Sequence, residues 1–477
     1  MVATLLHLAP IGLVLALILL ARRPPVQAAL AGVGLAALLW IAGLAEPLSF
    51  GVAQAILGDT TVLFLSTASV ILPGLAFVIL IERAGAPQAI GAWVRALGWP
   101  PAAQVLFIVL GLAPLLEAMT GFGVSLIATV PLLMSLFSRP VGMRLALTGM
   151  AIMPWGTLGL ATVIGALLAG VPAATLGSHS ALLSAPVFFC LSGLALWQAR
   201  VSGAWPWCAL GLLGTVFVAA LFAINRWLGP ELAGVAAGLS VTGLGLGSTL
   251  VRHGRLPPWP REAWPYLALL GLILTWRGLC SLSGWDALWV IRGQQVSWKP
   301  LASPGLALAL VTLLQVCGRA ASPALPWAGL LRRARVPLTT ILLFLLLSQI
   351  MVKAGFLLET QRLLQAMSGL ALAPTLALLA GLAGYLTGSN VGGNSLIMPV
   401  AATLDLAHGP WLAALVNSAA GHGALGSLSI LALIVGLAGA NRQEEGQLVR
   451  FAFGLVCLNI LLVAAAGSAL LYGLGSR

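Results

Sequence analysis

Read for hydropathy alone, the chain is a succession of apolar runs separated by short polar or basic punctuation. Runs near 5–21, 26–44, 59–82, 181–199, 205–225, 231–250, 264–283, 301–318, 336–354 and 447–472 each approach what an α-helix needs to cross a bilayer, about 20 residues. Two longer units, 140–170 and 410–438, are interrupted by glycine and proline. The pattern predicts an all-α polytopic membrane protein with about twelve transmembrane helices. Two further apolar stretches, about 100–137 and about 371–404, are too short for two comfortable spans, and each carries a polar break at its middle. A re-entrant hairpin fits each better.

The second break is the more conspicuous. Between Tyr385 and Pro399, nine positions hold Thr387, Gly388, Ser389, Asn390, Gly392, Gly393, Asn394 and Ser395. Irregular backbone at membrane depth is tolerated only where protein buries it or where it lines a polar cavity. Glycine permits the sharp turn, Ser, Thr and Asn can cap a newly started helix, and the N-terminus of that helix suits an anion. The plain alternative is an aqueous loop between two ordinary spans.

A second copy argues against that alternative. Leu115–Ser125 is again small, polar and glycine-rich, and Thr120-Gly121 answers Thr387-Gly388 at an offset of 267. The same offset carries Gly156–Gly159 onto Gly423–Gly426, and Ile81–Gly85 resembles Met351–Gly355. Paired interruptions in two halves point to the central site of a transporter, against a background of chance similarity among glycine-rich helices. The expected organisation is 1–58 N-terminal helices, 59–200 a first repeat, 201–335 linking helices and 336–477 a second, inverted repeat. Ala86–Leu97 and Leu358–Leu370 read as interfacial helices, of the kind that link a fixed scaffold to a moving unit.

Composition narrows the class. With 60% hydrophobic residues, 7% charged residues and a mean hydropathy of +1.07, the chain is no soluble domain. A β-barrel would show short alternating segments. The net charge of +12 is scattered between apolar runs and suits membrane topology better than nucleic acid. With the N-terminus outside and both hairpins re-entrant, sixteen of the 23 basic residues fall inside. That predicts a multi-pass protein of a bacterial inner membrane with both termini periplasmic. Trp285, Trp289 and Trp298 suit an outer interfacial belt, Trp259 and Trp264 an inner one. The five cysteines lie in apolar sequence without Cys-x-x-Cys spacing, and Leu5–Ala21 reads as a retained helix rather than a leader.

Few ionisable groups lie at membrane depth, and such groups are functional candidates by default. Glu117, three residues before Thr120-Gly121, is the foremost. Desolvation there favours its neutral form, so it would bind and release a proton near neutrality; the alternative is a paired or protonated glutamate that only holds the hairpin together. His422, beside Gly423 and one turn from Asn417 and Ser418, could relay a proton or simply pack. Asp405 and His408 read as surface groups near an outer mouth, Glu82 and Arg83 as a membrane edge, and His7, His179 and His253 as peripheral. Gly243–Gly247 matches helix packing rather than phosphate binding. There is no nucleophile–base pattern, Walker loop or metal-ligand spacing, so no metal or cofactor is expected and ATP-driven transport would need a partner subunit.

Glu117-Ala-Met-Thr-Gly121-Phe-Gly123, Thr387-Gly-Ser-Asn390 with Asn394, and Asn417-Ser418 followed by a glycine-rich break together resemble the lactate permease family. The resemblance covers most of the chain. It implies an elevator-type carrier of the ion-transporter superfamily that moves L-lactate, glycolate or a similar 2-hydroxy acid in symport with protons. It carries a substrate-binding role onto Thr120, Gly121, Gly123, Thr387, Gly388, Ser389, Asn390, Asn394 and Asn417, and proton coupling onto Glu117; His422, where the chain departs from the family, is a candidate for both roles on its own chemistry. Where the family has a lysine after Asn417 and then a Pro-Gln pair, this chain has Gly-His-Gly-Ala-Leu-Gly-Ser-Leu-Ser. The expected partners are a small carboxylate and membrane lipids, with no nucleic acid; the chain would act alone or as a homodimer. Alternatives are a sodium-coupled carrier of dicarboxylates or another anion, a membrane-embedded enzyme, and a channel.

Overall fold

The computed structural model describes residues 2–475 except 22, 48, 122, 318–326, 368, 403 and 405–407. Asp405 therefore lies outside the described residues. The fold is helical nearly throughout, with one short β-hairpin. Lipid-facing backbone must satisfy its own hydrogen bonds, and the helix does so within one segment.

In chain order the helices are α1 (Val2–Leu19), α2 (Pro25–Ile41), α3 (Phe50–Arg83), α4 (Ala86–Ala96), α5 (Pro101–Leu106), a π-helical turn at Phe107–Leu112, α6 (Ala113–Thr120), α7 (Ser125–Leu136), α8 (Arg139–Thr148), a 3₁₀ turn at Gly149–Trp155, α9 (Gly156–Ala169) and α10 (Ala173–Gln198). Then come α11 (Trp205–Trp227), α12 (Pro230–His253), α13 (Trp264–Ser283), strands β1 (Ile291–Arg292) and β2 (Ser297–Trp298), α14 (Pro304–Cys317), α15 (Trp327–Lys353), α16 (Leu358–Gln365), α17 (Gly369–Thr387), α18 (Asn390–Ala402), α19 (Gly409–Ala424), α20 (Leu428–Ala438) and α21 (Arg442–Gly475). Proline stands in the first turn of α2, α5, α8, α11, α12, α13 and α19, where its missing N–H has no helical partner to lose. The sequence thereby marks many of its own helix starts.

Among the described residues ten helices are long and apolar enough to cross a membrane, against the twelve spans read from hydropathy. The protein is a polytopic helical membrane protein. Segments read as spans at 5–21, 26–44 and 301–318 form the shorter α1, α2 and α14. Conversely Pro101–Thr120, read as one arm of a hairpin, is 20 residues of continuous helix, about 30 Å long. Its π turn is what lets α5 and α6 run on as one unit through a proline at position 114.

The same order of elements is met twice. A long helix (α3, α15), a short one (α4, α16), a helix–turn–helix (α5–α7, α17–α18), an interrupted helix (α8–α9, α19–α20) and a final long helix (α10, α21) follow one another in both stretches. α3 packs on α15, and α10 packs on α21. The core lies between, where α17, α18 and α19 pack closely on one another and α18 and α19 also pack on α9.

One buried ion pair was not legible in the pattern. Lys353, at the end of α15, stands 2.8 Å from Asp59 of α3, and both side chains are almost inaccessible. Asp59 also accepts the backbone N–H groups of Gln294 at 2.6 Å and Gln295 at 3.2 Å. The pair clasps the β1–β2 hairpin onto the helix ends. Lys353, one of the seven basic residues that the topology leaves outside, is a buried partner. Of the Gly243–Gly247 run, Gly245 lies against Trp99 and Phe107, while Gly243 and Gly247 meet nothing within 4 Å, so only part of it is a packing surface.

Candidate functional site

Both polar breaks are tight turns between antiparallel helices, and both are built alike. Gly121 has φ +69° and Gly388 φ +66°, and the threonine before each returns its hydroxyl to its own helix: Thr120 Oγ1 donates to Leu116 O at 2.6 Å and Thr387 Oγ1 to Ala383 O at 2.8 Å. These hydroxyls close the last helical turn, so their hydrogens are engaged rather than offered to a ligand.

Each turn rests on the interruption of the neighbouring broken helix. Gly121 lies so close to Thr157 that any side chain at 121 would overlap it. Thr157, Leu158 and Gly159 are three consecutive left-handed residues, with φ of 52°, 54° and 69°, and they are the interruption itself. Gly388 correspondingly faces Ser429 and Ser427, at the gap between α19 and α20. The two broken helices cross where Gly421 packs on Pro154, again 267 positions apart. Each helix–turn–helix also reaches the other broken helix: Asn394 Nδ2 donates to Ala161 O of α9 at 3.0 Å, and Gly123 lies against Leu433 and Ile430 of α20.

The chemistry of the two turns differs. At the first, the fully buried Glu117 carboxylate accepts the Gly123 N–H on Oε1 at 3.1 Å and the Ser125 hydroxyl on Oε2 at 2.8 Å. At the second, the centre is Asn417 of α19. Its Oδ1 accepts Asn394 Nδ2 at 2.9 Å and Asn390 Nδ2 at 3.3 Å, and its Nδ2 donates to Thr162 Oγ1 and Ser180 Oγ, each at 3.0 Å. Thr162 passes its own hydrogen to Pro154 O at 2.7 Å, a carbonyl whose helical partner position falls in the interruption. All five side chains are buried. Within this network Asn390 Oδ1 and Asn394 Oδ1 have no hydrogen-bond partner among the described residues. Two buried amide oxygens one helical turn apart thus remain available to a hydrogen-bond donor or a cation.

The structure therefore joins Asn390, Asn394 and Asn417 directly, and Glu117 to Gly123. Ser389 is only half-buried, its Oγ accepting the Gly392 N–H at 3.4 Å. His422 is fully buried with its ring edge-on to Phe188 at 5.9 Å, and neither nitrogen meets a hydrogen-bond partner among the described residues. It contacts neither the carboxylate nor the amides by hydrogen bond. His179, read as peripheral, is half-buried and stacks on Trp411 with ring centres 3.6 Å apart. Thr162, Ser180 and Met150 escaped the sequence reading, because a lone Ser, Thr or Met in an apolar span looks like ordinary helix filling, and Ser125 figures there only as the end of the first break. The only hint was that Thr162 follows a break within a few residues and Ser125 closes one. Among the described residues no cluster of three or more His, Cys, Asp or Glu could hold a metal ion.

No family model matches the chain, and no curated protein matches it. The lactate permease resemblance is accordingly not confirmed by these comparisons. Among solved structures the chain is similar to MtrF of Neisseria gonorrhoeae, described with a class of antimetabolite efflux pumps. The two share 15% identity over 94% of each chain, with a TM-score of 0.45, a likeness that carries no argument about this chain.

Proposed function

We propose that the protein is a secondary active transporter of a small monocarboxylate, such as a 2-hydroxy acid, coupled to protons. The carrying observation is the pairing of two glycine turns, each seated on one of two crossing broken helices, with one buried carboxyl beside the first turn and three buried asparagines beside the second. The twice-met element order supports reading the halves as inverted repeats and the helix–turn–helices as re-entrant hairpins. Broken helices at matching places suit alternating access around a central site. In this reading the paired helices α3 and α15 belong to the scaffold, and the core of α17 to α20 with α5 to α9 moves against it.

A carboxylate entering between the turns would meet backbone N–H groups at the start of α18 and the Ser389 hydroxyl, and its 2-hydroxyl would suit the unpartnered oxygens of Asn390 and Asn394. Glu117 would take up a proton as the anion binds, reducing the net charge carried through low dielectric. Uptake of radiolabelled lactate or glycolate into proteoliposomes tests this. An inward proton gradient should drive accumulation, and Glu117→Gln should abolish that drive while leaving substrate exchange. Absence of gradient-driven uptake of any monocarboxylate would end the proton reading.

A second reading is sodium coupling, favoured by those same two amide oxygens, which suit a hard cation as well as a hydroxyl. Replacing Na⁺ by choline separates the two: loss of uptake assigns the oxygens to the ion.

A further inference from the structure

Ser125 has two acceptors and one hydrogen. Its Oγ stands 2.8 Å from Glu117 Oε2 and 3.2 Å from the sulfur of Met150. A hydroxyl donates one hydrogen bond and accepts others, so the two contacts are alternatives rather than simultaneous bonds. While Glu117 is ionised, the Ser125 hydrogen belongs on the carboxylate, the far stronger acceptor. Once a proton sits on Oε2, that oxygen becomes the donor, Ser125 Oγ becomes its acceptor, and the Ser125 hydrogen turns to the thioether. Oε1 keeps the Gly123 N–H in both states. The change moves hydrogens and no heavy atoms. One proton is added to Oε2, and no other bond is made or broken.

We propose that Ser125 and Met150 form with Glu117 a reversible hydrogen-bond relay, which lets the first turn gain or lose one proton while remaining seated on Thr157. The inference rests on reading Glu117 as the proton carrier. Met150 is fully buried on the 3₁₀ turn that precedes the interruption. Its sulfur is weak enough not to compete for the Ser125 hydrogen in the ionised state, yet it spares that hydrogen from burial unpaired in the neutral state. The position answering Met150 in the other half, 267 residues on, is Asn417, the centre of the amide network. Both halves thus place at this point the residue that receives the hairpin's polar side chains.

Among the described residues no charged side chain on the elements packed against α6 and α7 bonds the relay; α19 and α10, which pack on the 149–155 turn, bring two histidines, His422 edge-on to Phe188 and His179 stacked on Trp411. α6 packs on α3, α7, α9, α12 and the turns at 107–112 and 149–155. Their charged groups are engaged elsewhere: Asp59 with Lys353, Glu82 with Arg333, and Glu231 near Arg277. Arg83, Arg252 and His253 are exposed at helix ends. On elements packed against α7, Arg95 bonds Ser135, and on α8 Arg139 pairs with Glu444 while Arg144 lies over Phe451. Neither α9 nor α20 carries a titratable residue.

The test is infrared titration of the Glu117 carboxyl band in reconstituted protein, the band being the one that Glu117→Gln removes, together with the pH profile of uptake. Met150→Leu keeps the volume and deletes the acceptor, so the neutral form loses a weak bond and both readouts should move toward acid by roughly half a pH unit. Ser125→Ala removes the stronger bond to the ionised form and should move them toward alkali. Adding Met150→Leu to Ser125→Ala should then change nothing more, and Ser125→Thr should behave as wild type. Circular dichroism and gel filtration verify that each variant is folded. An unmoved profile in Met150→Leu, or an equal shift in the Ser125→Ala background, overturns the relay. If wild type shows no titrating band that Glu117→Gln removes, the proton-carrier reading itself falls, which is a different result.

Discussion

Replacing Gly121 by alanine tests how the first turn is seated. Gly121 has φ +69° and ψ −170°, a region that side chains scarcely enter, at a cost of about 1–3 kcal/mol. The added Cβ would also fall on Thr157 Oγ1, 2.8 Å from Thr157 Cβ and 2.9 Å from its backbone nitrogen. Because backbone stands behind the side chain, no rotamer change relieves the overlap, and overpacking adds about 1–3 kcal/mol. The sum, roughly 2–6 kcal/mol, is large enough to lift the turn off the interruption. Gly98→Ala supplies the control: its φ is +63°, and nothing lies within 4 Å of a Cβ there, so it carries backbone strain alone, about 1–2 kcal/mol. Thermal unfolding in detergent should therefore rank wild type above Gly98→Ala and Gly98→Ala above Gly121→Ala, with transport lost only in the last. Thr157→Gly in the Gly121→Ala background should restore part of the loss, because it removes the overlapped side chain and relaxes a residue held at φ 52°. If the two alanine variants unfold alike, the turn does not rest on Thr157.

Asn417→Leu should destabilise by roughly 2–4 kcal/mol, since it leaves the buried Asn390 amide with no partner, and the seating of α18 on α9 should loosen; a variant as stable as wild type would refute the hub role. Asp59→Asn strands the Lys353 charge and should cost about 3–5 kcal/mol, whereas the double variant with Lys353→Met should recover most of it in the same melting assay. Asp286, outside the spanning helices, is held below the usual carboxylate range by its 2.7 Å hydrogen bond from Lys299. Its contribution is present above the ordinary carboxylate value and is lost as pH falls through the lowered one. Being reached by solvent, it is small and screened by salt. Trp285 fluorescence should respond to that titration only at strongly acid pH, and Asp286→Asn should remove the response.

Much of the plan was legible. Apolar runs of membrane length, glycine and proline interruptions and the doubled Thr-Gly breaks are local signals, read from spacing alone, and they marked both turns and both interrupted helices. Glu117 stood out because a carboxylate in apolar sequence is conspicuous wherever its partners are. Span counts were less secure: α14 and α2 are shorter than their hydropathy runs, while 101–120 is longer than half a hairpin suggested, because a π turn and a tolerated proline leave no mark in apolarity.

Sequence by itself determined a membrane-spanning helical chain, two glycine turns at one offset, and a carboxyl group beside the first of them. Only the tertiary structure decided that each turn rests on a broken helix, that Asn417 gathers Asn390 and Asn394, that His422 faces Phe188, and that Lys353 closes on Asp59. The reason is physical. Helix periods and turn residues act over a few positions, so they are written in local order. A hydrogen bond between α18 and α9, or an ion pair between α3 and α15, joins residues more than two hundred positions apart. It forms only where packing removes water from both partners at once.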